Sequence, residues 1–263
     1  MTTASNEPIL KGRKENLFWR VFEDRSQMGQ AAAADLAQKI NEVLQEKPEV
    51  NIVFASAPSQ NDLLASLAEI EGLDWSRVNA FHMDEYIGLP EEAPQKFSVY
   101  LRDGIFRKVK PGRVFFINGS ADPDEECRRY TKLLEEYPVD IVCLGIGENG
   151  HLAFNDPHVA DFNDPLLIKK VNIDDTSRMQ QVHDGNFCRI EEVPKLALSL
   201  TIPALLKARF ALTVVPGPTK AQAVFNTLNE PISEKCPATA LRRHSGPFLY
   251  LDRDSAALIL KNS

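Results

Sequence analysis

The stretch LGIGENGHLAFNDP at 144–157 combines residue types that can do chemistry on a small molecule. It follows an apolar run that is typical of a buried strand. Gly147 and Gly150 allow the backbone to approach a neighbouring group closely. His151 comes next, and Asp156 lies five residues later. Because imidazole titrates near neutral pH, this histidine at a strand end is a candidate acid or base.

The same stretch has plainer explanations. Its glycines match the letters of a dinucleotide-binding fingerprint. The motif lies in the middle of the chain, however, and no long helix is indicated after it, so NAD binding is disfavoured. His151 could equally be a structural histidine. We do not expect a metal centre, because the histidines and cysteines lack the spacing typical of metal ligands.

Three other segments carry polar side chains just after strand-like runs. Ser56 and Ser59 precede a helix-like segment, where hydroxyls and free backbone N–H groups can bind an anion; ordinary helix capping is the alternative. Asp84 and Glu85 could provide a general base near a substrate carbon, or they could be a solvated pair. Lys220, at the start of a later helix, is either an anion ligand or an exposed lysine.

The chain around these segments alternates short apolar runs with amphipathic stretches. This alternation predicts an α/β protein with a mostly parallel sheet and helices on both faces. Ligands bind such sheets at the carboxyl ends of the strands, where the polar segments lie. With no linker or repeat, one domain is expected over residues 1–263. The predicted strands are 50–55, 78–83, 114–117, 139–146, 211–215 and 248–251, and the predicted helices are 26–46 (capped by Ser26), 60–72, 96–109, 122–136 and 219–228.

Charge and composition narrow the class of partner. The net charge of −7 argues against nucleic acid, whose phosphates attract clustered lysine and arginine. A small phosphate ester needs only a few local donors. No apolar stretch is long enough for a membrane-spanning helix, and the amino-terminal segment lacks the apolar core of a signal peptide. Four cysteines without a C-x-x-C pair complete a pattern that predicts a cytoplasmic protein.

Two segments together resemble the glucosamine-6-phosphate deaminase (isomerase) family, namely FHMDEYIGL at 81–89 and GIGENGHLAFNDP at 145–157. Weaker similarity lies in the serine loop at 56–59, the turn at 217–220 and the PATAL segment at 237–241. The resemblance spans most of the chain. It implies a three-layer, Rossmann-like α/β/α sandwich. It also implies conversion of an aldose 2-amino-6-phosphate, from glucosamine or galactosamine, to a ketose 6-phosphate with loss of ammonia.

The resemblance, carried over by position, implies roles for individual residues. Asp84 would take the proton from C2 of the sugar, His151 would open the sugar ring, and Asp156 would orient the histidine. No cofactor and no metal are implied, and the partner is a small-molecule sugar phosphate. The residues expected to contact the substrate are Ser56, Ser59, Glu85, Gly147, Gly150 and Lys220.

The sequence departs from the family pattern at several positions. Asn149 stands where the family commonly has aspartate, with Glu148 beside it as a further catalytic candidate, and Asp156 replaces a glutamate. The arginine that often completes the phosphate site has no clear equivalent; Arg178 is the nearest candidate and His183 the alternative. We therefore expect a divergent subfamily with altered sugar specificity or a shifted pH optimum for ring opening.

Two other functions are compatible with these residues. The related 6-phosphogluconolactonases share the fold and the glycine–histidine core, and such a hydrolase would use His151 to activate water. A non-catalytic sugar-phosphate-binding module is the other alternative. The sequences DEY at 84–86 and FND at 154–156 favour the deaminase. The resemblance also leaves a homo-oligomer open as a state of this chain.

Overall fold

Runs rich in valine, isoleucine, leucine and phenylalanine form buried strands, because such side chains pack well on a pleated surface. The computed structural model describes residues 7–261. Its strands are β1 (Leu10–Lys14), β2 (Leu17–Phe22), β3 (Val50–Phe54), β4 (Val78–His82), β5 (Asp84–Tyr86), β6 (Arg113–Phe115), β7 (Ile141–Leu144), β8 (Ile168–Asn172), β9 (Leu196–Leu200), β10 (Phe210–Val215) and β11 (Pro247–Asp252). Its α-helices are α1 (Arg25–Glu46), α2 (Asn61–Ala68), α3 (Phe97–Leu101), α4 (Arg107–Val109), α5 (Pro123–Glu136), α6 (Asp175–His183), α7 (Ile202–Leu206), α8 (Ala221–Asn229) and α9 (Ala257–Leu260).

Eight strands form one sheet in the order β1-β2-β11-β10-β7-β3-β4-β6. Its neighbours pair in parallel, except that β1 and β2 form an antiparallel hairpin at one edge. The predicted α/β class with a mostly parallel sheet is therefore confirmed. Parallel strands end at the same edge, so the loops after β10, β7, β3 and β4 lie side by side in that order.

Helices cover both faces of this sheet. Successive side chains of a strand point to opposite faces, and β3 shows the consequence. Ile52 and Phe54 belong to a buried cluster with Leu36 of α1, whereas Val53 belongs to a second cluster with Tyr130 of α5. Two apolar cores separated by one sheet make the three-layer sandwich. In the described part of the chain, no helix is both long and apolar enough to cross a membrane.

A second, antiparallel sheet of β5, β9 and β8 was not predicted. The apolar run at 78–83, predicted to be one strand, ends at His82, and β5 begins at Asp84. The backbone oxygen of Met83 accepts a hydrogen bond from the Leu200 backbone N–H at 2.8 Å. This small sheet fixes the backbone around Asp84, whose Cα is paired with that of Ser199.

The cap of α1 and the whole of α6 differ from the sequence prediction. Helix α1 begins one residue before Ser26, and its cap is Asp24, whose carboxylate accepts a hydrogen bond from the Gln27 backbone N–H at 2.8 Å. Helix α6 was missed, because its buried side chains include polar ones and it therefore lacks apolar periodicity.

Candidate active site

Residues after four neighbouring strands of the main sheet line one cavity of about 220 Å³. Lys220 follows β10, His151 follows β7, Ser56 follows β3 and Asp84 follows β4. Ser59 and Gly147 line the same cavity. A ligand pocket at the carboxyl ends of the strands is the usual arrangement in such sheets. The volume suits one small molecule.

The glycines of the central motif shape the turn that presents His151. A β-carbon on Gly147 would lie 2.1 Å from Cε1 of His151, so any side chain there would displace the imidazole. Gly150 has φ +83°, and a β-carbon would lie 2.7 Å from Sγ of Cys236. Gly150 does not line the cavity. The structure therefore gives Gly150 a conformational role in the turn before His151 and does not place it for the predicted contact with substrate.

Asp156 and Ser177 lie behind the His151 ring. Nδ1 of His151 is 2.7 Å from the Ser177 hydroxyl oxygen and 3.2 Å from Oδ1 of Asp156. The Ser177 hydroxyl donates a hydrogen bond to the same carboxylate oxygen. Burial would raise the pKa of Asp156, but hydrogen bonds from His151, Asn149 and Ser177 outweigh burial and lower it to about 2. Asp156 is therefore ionised at neutral pH and oriented towards the histidine.

Asn149 holds this arrangement together with both ends of its amide. Its Nδ2 donates to Oδ1 of Asp156 at 2.9 Å and to Oδ2 of Asp174 at 3.0 Å. Its Oδ1 accepts from the backbone N–H of His151 at 3.0 Å. An aspartate here would have no hydrogen to donate and would face two other carboxylates. The amide of Asn149 can therefore donate to both Asp174 and Asp156, the aspartate that replaces the longer glutamate of the family pattern.

Asp84 faces the cavity as a buried carboxyl group, with 7% of its surface exposed. Among the described residues, none donates a hydrogen bond to its side chain. Burial, and then the nearby charge of Glu85, raise the pKa of Asp84 well above its ordinary value. A carboxyl group in this state accepts a proton from a weak carbon acid more readily than an exposed aspartate does.

Glu85 lies on the opposite side of β5 and does not line the cavity. Its carboxylate accepts hydrogen bonds from the backbone N–H groups of Tyr86, Phe97 and Ser98, at 3.0–3.1 Å, and from the Ser98 hydroxyl at 2.7 Å. It therefore anchors the start of α3. The prediction that Glu85 contacts substrate is wrong for this structure, because alternate residues of a strand face opposite ways.

Two further polar groups that line the cavity are buried without a hydrogen-bond partner among the described residues. The Ser56 hydroxyl oxygen and Nζ of Lys220 are both buried without a hydrogen bond, although their residues are only 6% and 5% exposed. Burial lowers the pKa of Lys220, while Asp184 and Glu148 act in the opposite direction. Unpaired buried donors are costly. Both groups therefore favour an anionic ligand in this part of the cavity.

Arg178 and Glu148 are not among the residues that line the cavity. The Arg178 guanidinium donates to the backbone oxygens of Ile190 and Val193 and pairs with Asp175 at 2.8 Å, so it secures the chain after α6. The Glu148 carboxylate lies 3.2 Å from Nδ1 of His183. Arg178 is therefore occupied outside the cavity and not placed to bind phosphate, whereas the charge of Glu148 still acts on Lys220 and its catalytic role stays a prediction.

Several residues near the cavity escaped the sequence prediction. Arg25, at the start of α1, lines it while donating to Oδ2 of Asp62 at 2.6 Å and to the Pro58 backbone oxygen at 3.0 Å. The Asp-Asp-Thr-Ser sequence at 174–177, which holds the cap and first turn of α6, was the available signal for a helix start there. The other residues in this group are Ser177 behind His151 and, in the cavity lining, Gln180, Gln181, Asp184 and Thr219.

One group of side chains in the described range could present ligand atoms to a metal ion. Single ligand atoms of Asp156, His158 and Asp174 lie within 4.8 Å of one another. The carboxylate oxygens involved already accept hydrogen bonds from Asn149, Ser177 and backbone N–H groups. In this structure, these two carboxylates therefore belong to the hydrogen-bond network that supports His151.

The amino-acid sequence matches the family model of glucosamine-6-phosphate isomerases/6-phosphogluconolactonase over residues 23–250. The chain belongs to this family. A glucosamine-6-phosphate deaminase of Bacillus cereus (strain B4264) is 34% identical over 220 residues, covering 83% of this chain and 82% of the relative. A glucosamine-6-phosphate deaminase of Bacillus thuringiensis (strain Al Hakam) matches with the same identity and coverage. The family resemblance seen in the sequence is thereby confirmed.

Solved structures of the family share this fold. A monomeric glucosamine-6-phosphate deaminase superposes with a TM-score of 0.84 at 32% identity, over 91% of this chain and 99% of that chain. The 6-phosphogluconolactonase from Thermotoga maritima superposes with a TM-score of 0.74 at 19% identity, over 90% of this chain and 99% of that chain. At that identity, the lactonase supports the fold alone.

Proposed function

We propose that this chain is an amino-sugar phosphate isomerase and deaminase. It would convert glucosamine-6-phosphate or galactosamine-6-phosphate, with one water, to a ketose 6-phosphate and ammonia. The observation that carries the proposal is the content of one cavity, where the unpaired ammonium of Lys220 accompanies the buried carboxyl of Asp84 and the imidazole of His151. Membership of the family, and similarity to relatives named as deaminases, point to the same chemistry.

The phosphate group of the substrate would bind where the cavity has donors without partners. Ser56 and Lys220 supply a hydroxyl and an ammonium, and Thr219 and Ser59 add hydroxyls nearby. Short 3₁₀ turns at Pro58–Gln60 and Pro218–Lys220 lead into α2 and α8, and the first backbone N–H groups of a helical turn have no partner within it. This contact is remote from the reacting carbons, so its binding energy can position C1 and C2.

His151 would open the sugar ring. The reaction moves a proton from the C1 hydroxyl to the ring oxygen, which frees an aldehyde at C1. An imidazole with Nε2 free in the cavity can take the first proton and return one to the ring oxygen. The carboxylate of Asp156 stabilises the cationic imidazolium between the two steps.

Asp84 would then carry the isomerisation. It removes the proton from C2, next to the aldehyde, and the resulting enol is protonated at C1. The product is a ketose imine at C2. Water adds to this imine, and the carbinolamine collapses to the ketone with loss of ammonia. The raised pKa of Asp84 suits both removal and return of the proton, because the carboxyl group is then a stronger base than an ordinary aspartate.

The test is incubation of the purified protein with glucosamine-6-phosphate, galactosamine-6-phosphate and, separately, 6-phosphogluconolactone. Ammonia and ketose phosphate should appear with one or both amino sugars, and Asp84→Asn should abolish their release. Turnover of the lactone alone would indicate a hydrolase instead. Binding of the amino sugars without turnover would indicate a sugar-phosphate-binding module.

A further inference from the structure

The hydroxyl of Ser177 lies between the Asp156 carboxylate and the imidazole of His151 and hydrogen-bonds to both. The Ser177 hydroxyl oxygen lies 2.7 Å from Nδ1 of His151 and also contacts Asp156, whereas the direct distance from Nδ1 to the carboxylate is 3.2 Å. We propose that Ser177 is a positioning residue whose hydroxyl holds His151 in the orientation and tautomer that leave Nε2 free in the cavity. The kinetic part of this proposal rests on the proposed function, whereas the structural part does not.

The direction of each hydrogen bond follows from the state of Asp156. The hydrogen bonds around this carboxylate keep its pKa low, so the group is ionised and can only accept. The Ser177 hydroxyl must therefore donate to Asp156. Its oxygen then accepts from Nδ1–H of His151. A neutral His151 consequently carries its proton on Nδ1.

The other tautomer is disfavoured because it would break this chain of donors. With Nδ1 unprotonated, the Ser177 hydroxyl would have to turn towards the ring to donate to it. The Ser177 oxygen and the Asp156 carboxylate would then be in contact with no hydrogen between them. Ser177 is 1% exposed and Asp156 is 0% exposed, so water cannot relieve the contact.

The same geometry works in both charge states of the imidazole. When Nε2 gains a proton, Nδ1–H still donates to the Ser177 oxygen. The ring can thus take up and release a proton at Nε2 without turning. Within the described residues, Nε2 of His151 makes no hydrogen bond, and His151 lines the cavity. Ring opening needs this kind of stationary acid and base.

The start of α6 fixes the position of the hydroxyl. Oδ1 of Asp174 caps the helix by accepting from the Ser177 backbone N–H at 2.8 Å. The Asp174 backbone N–H donates to Oδ2 of Asp156 at 3.0 Å. Asp174 therefore links the first turn of α6 to the Asp156 carboxylate, and Ser177 lies between them. Gln180 and Gln181 of the same helix line the cavity, so this helix links the substrate to the support of His151.

The experiment compares Ser177→Ala and Ser177→Cys with Thr176→Ala, an exposed position on the same helix turn. Both Ser177 variants should lower kcat for ammonia release about tenfold, the effect of losing one buried hydrogen bond, while KM stays nearly constant. Long-range ¹H–¹⁵N NMR of the imidazoles, with His151→Gln to assign the signal, should show the Nδ1–H tautomer in the wild type. It should show a mixture of tautomers in both Ser177 variants.

Three outcomes separate the claims. An unchanged His151 tautomer in both Ser177 variants overturns the proposal, whether or not their Tm falls. An unchanged kcat in the presence of altered tautomers shows that the orientation does not matter for the reaction, and this also overturns it. A wild-type protein that releases no ammonia overturns the proposed function, while the NMR comparison still decides the tautomer.

Discussion

Replacement of Lys220 by methionine tests the phosphate site most sharply. The ammonium is buried, has no partner among the described residues, and lines the cavity beside Ser56. A hydrogen bond to a charged group contributes about 1.5–3 kcal/mol, so kcat/KM for the phosphorylated amino sugar should fall roughly 10- to 150-fold. The fall should lie mainly in KM. Lys207→Met is the matched control at an exposed position.

The same substitution should stabilise the free protein. Burial lowers the pKa of Lys220, which means that the fold disfavours the charged ammonium. Lys220→Met removes that cost at pH values below the lowered pKa, and the gain should vanish above the ordinary lysine pKa of about 10.4. Steady-state kinetics with glucosamine-6-phosphate and with unphosphorylated glucosamine measure the first effect, and Tm against pH measures the second. Equal losses with the two sugars would refute a phosphate contact.

Three further substitutions have expected outcomes. Asp84→Asn should raise Tm by an amount that is absent below about pH 4 and grows as the pH rises, because the raised folded pKa makes the ionised carboxylate unfavourable; a pH-independent change in Tm would contradict this. Asn149→Asp should lower the free energy of unfolding at pH 7 by about 1–3 kcal/mol in urea denaturation, because it puts a third carboxylate beside Asp156 and Asp174; unchanged stability would count against the amide's role. Arg25→Met should raise KM about two- to fivefold with little change in kcat, because Arg25 lines the cavity but its half-exposed guanidinium is already paired with Asp62; an unchanged KM would show that Arg25 does not contact the substrate.

The convergence of the strand-end residues could be predicted from the sequence. Parallel strands finish at one edge, so segments far apart in the chain must meet there. Lys220, His151, Ser56 and Asp84 do share one cavity, as that rule requires. Hydrophobic patterning was sufficient to predict this convergence, because the strand before each of these residues is a buried apolar run.

The support of His151 could not be predicted in the same way. Helix α6 buries Ser177, Gln180 and Gln181, so its inner face is polar and shows no apolar period. Ser177 and Gln181 are four residues apart and share a face of the helix, whereas Arg178 lies about 100° around the helix from Ser177. Arg178, the nearest candidate that the resemblance offered for the phosphate-site arginine, instead bonds the backbone oxygens of Ile190 and Val193.

Strand geometry explains the error at Glu85. Asp84 and Glu85 are adjacent in the sequence, but β5 turns their side chains to opposite sides. Only Asp84 meets the cavity, while Glu85 caps a helix and raises the pKa of its neighbour through its charge. The short strand DEY carries too little apolar pattern to be recognised, so the pair was taken as one strand-end site.

The most direct measurement follows the C2 hydrogen of the amino-sugar phosphate during turnover. With substrate deuterated at C2, the wild-type protein should release ammonia while the deuterium leaves C2, and Asp84→Asn should do neither. Asp254→Asn, at an exposed aspartate, should behave like the wild type. Ammonia release that persists in Asp84→Asn would contradict the central claim that Asp84 is the base of an aldose–ketose isomerisation.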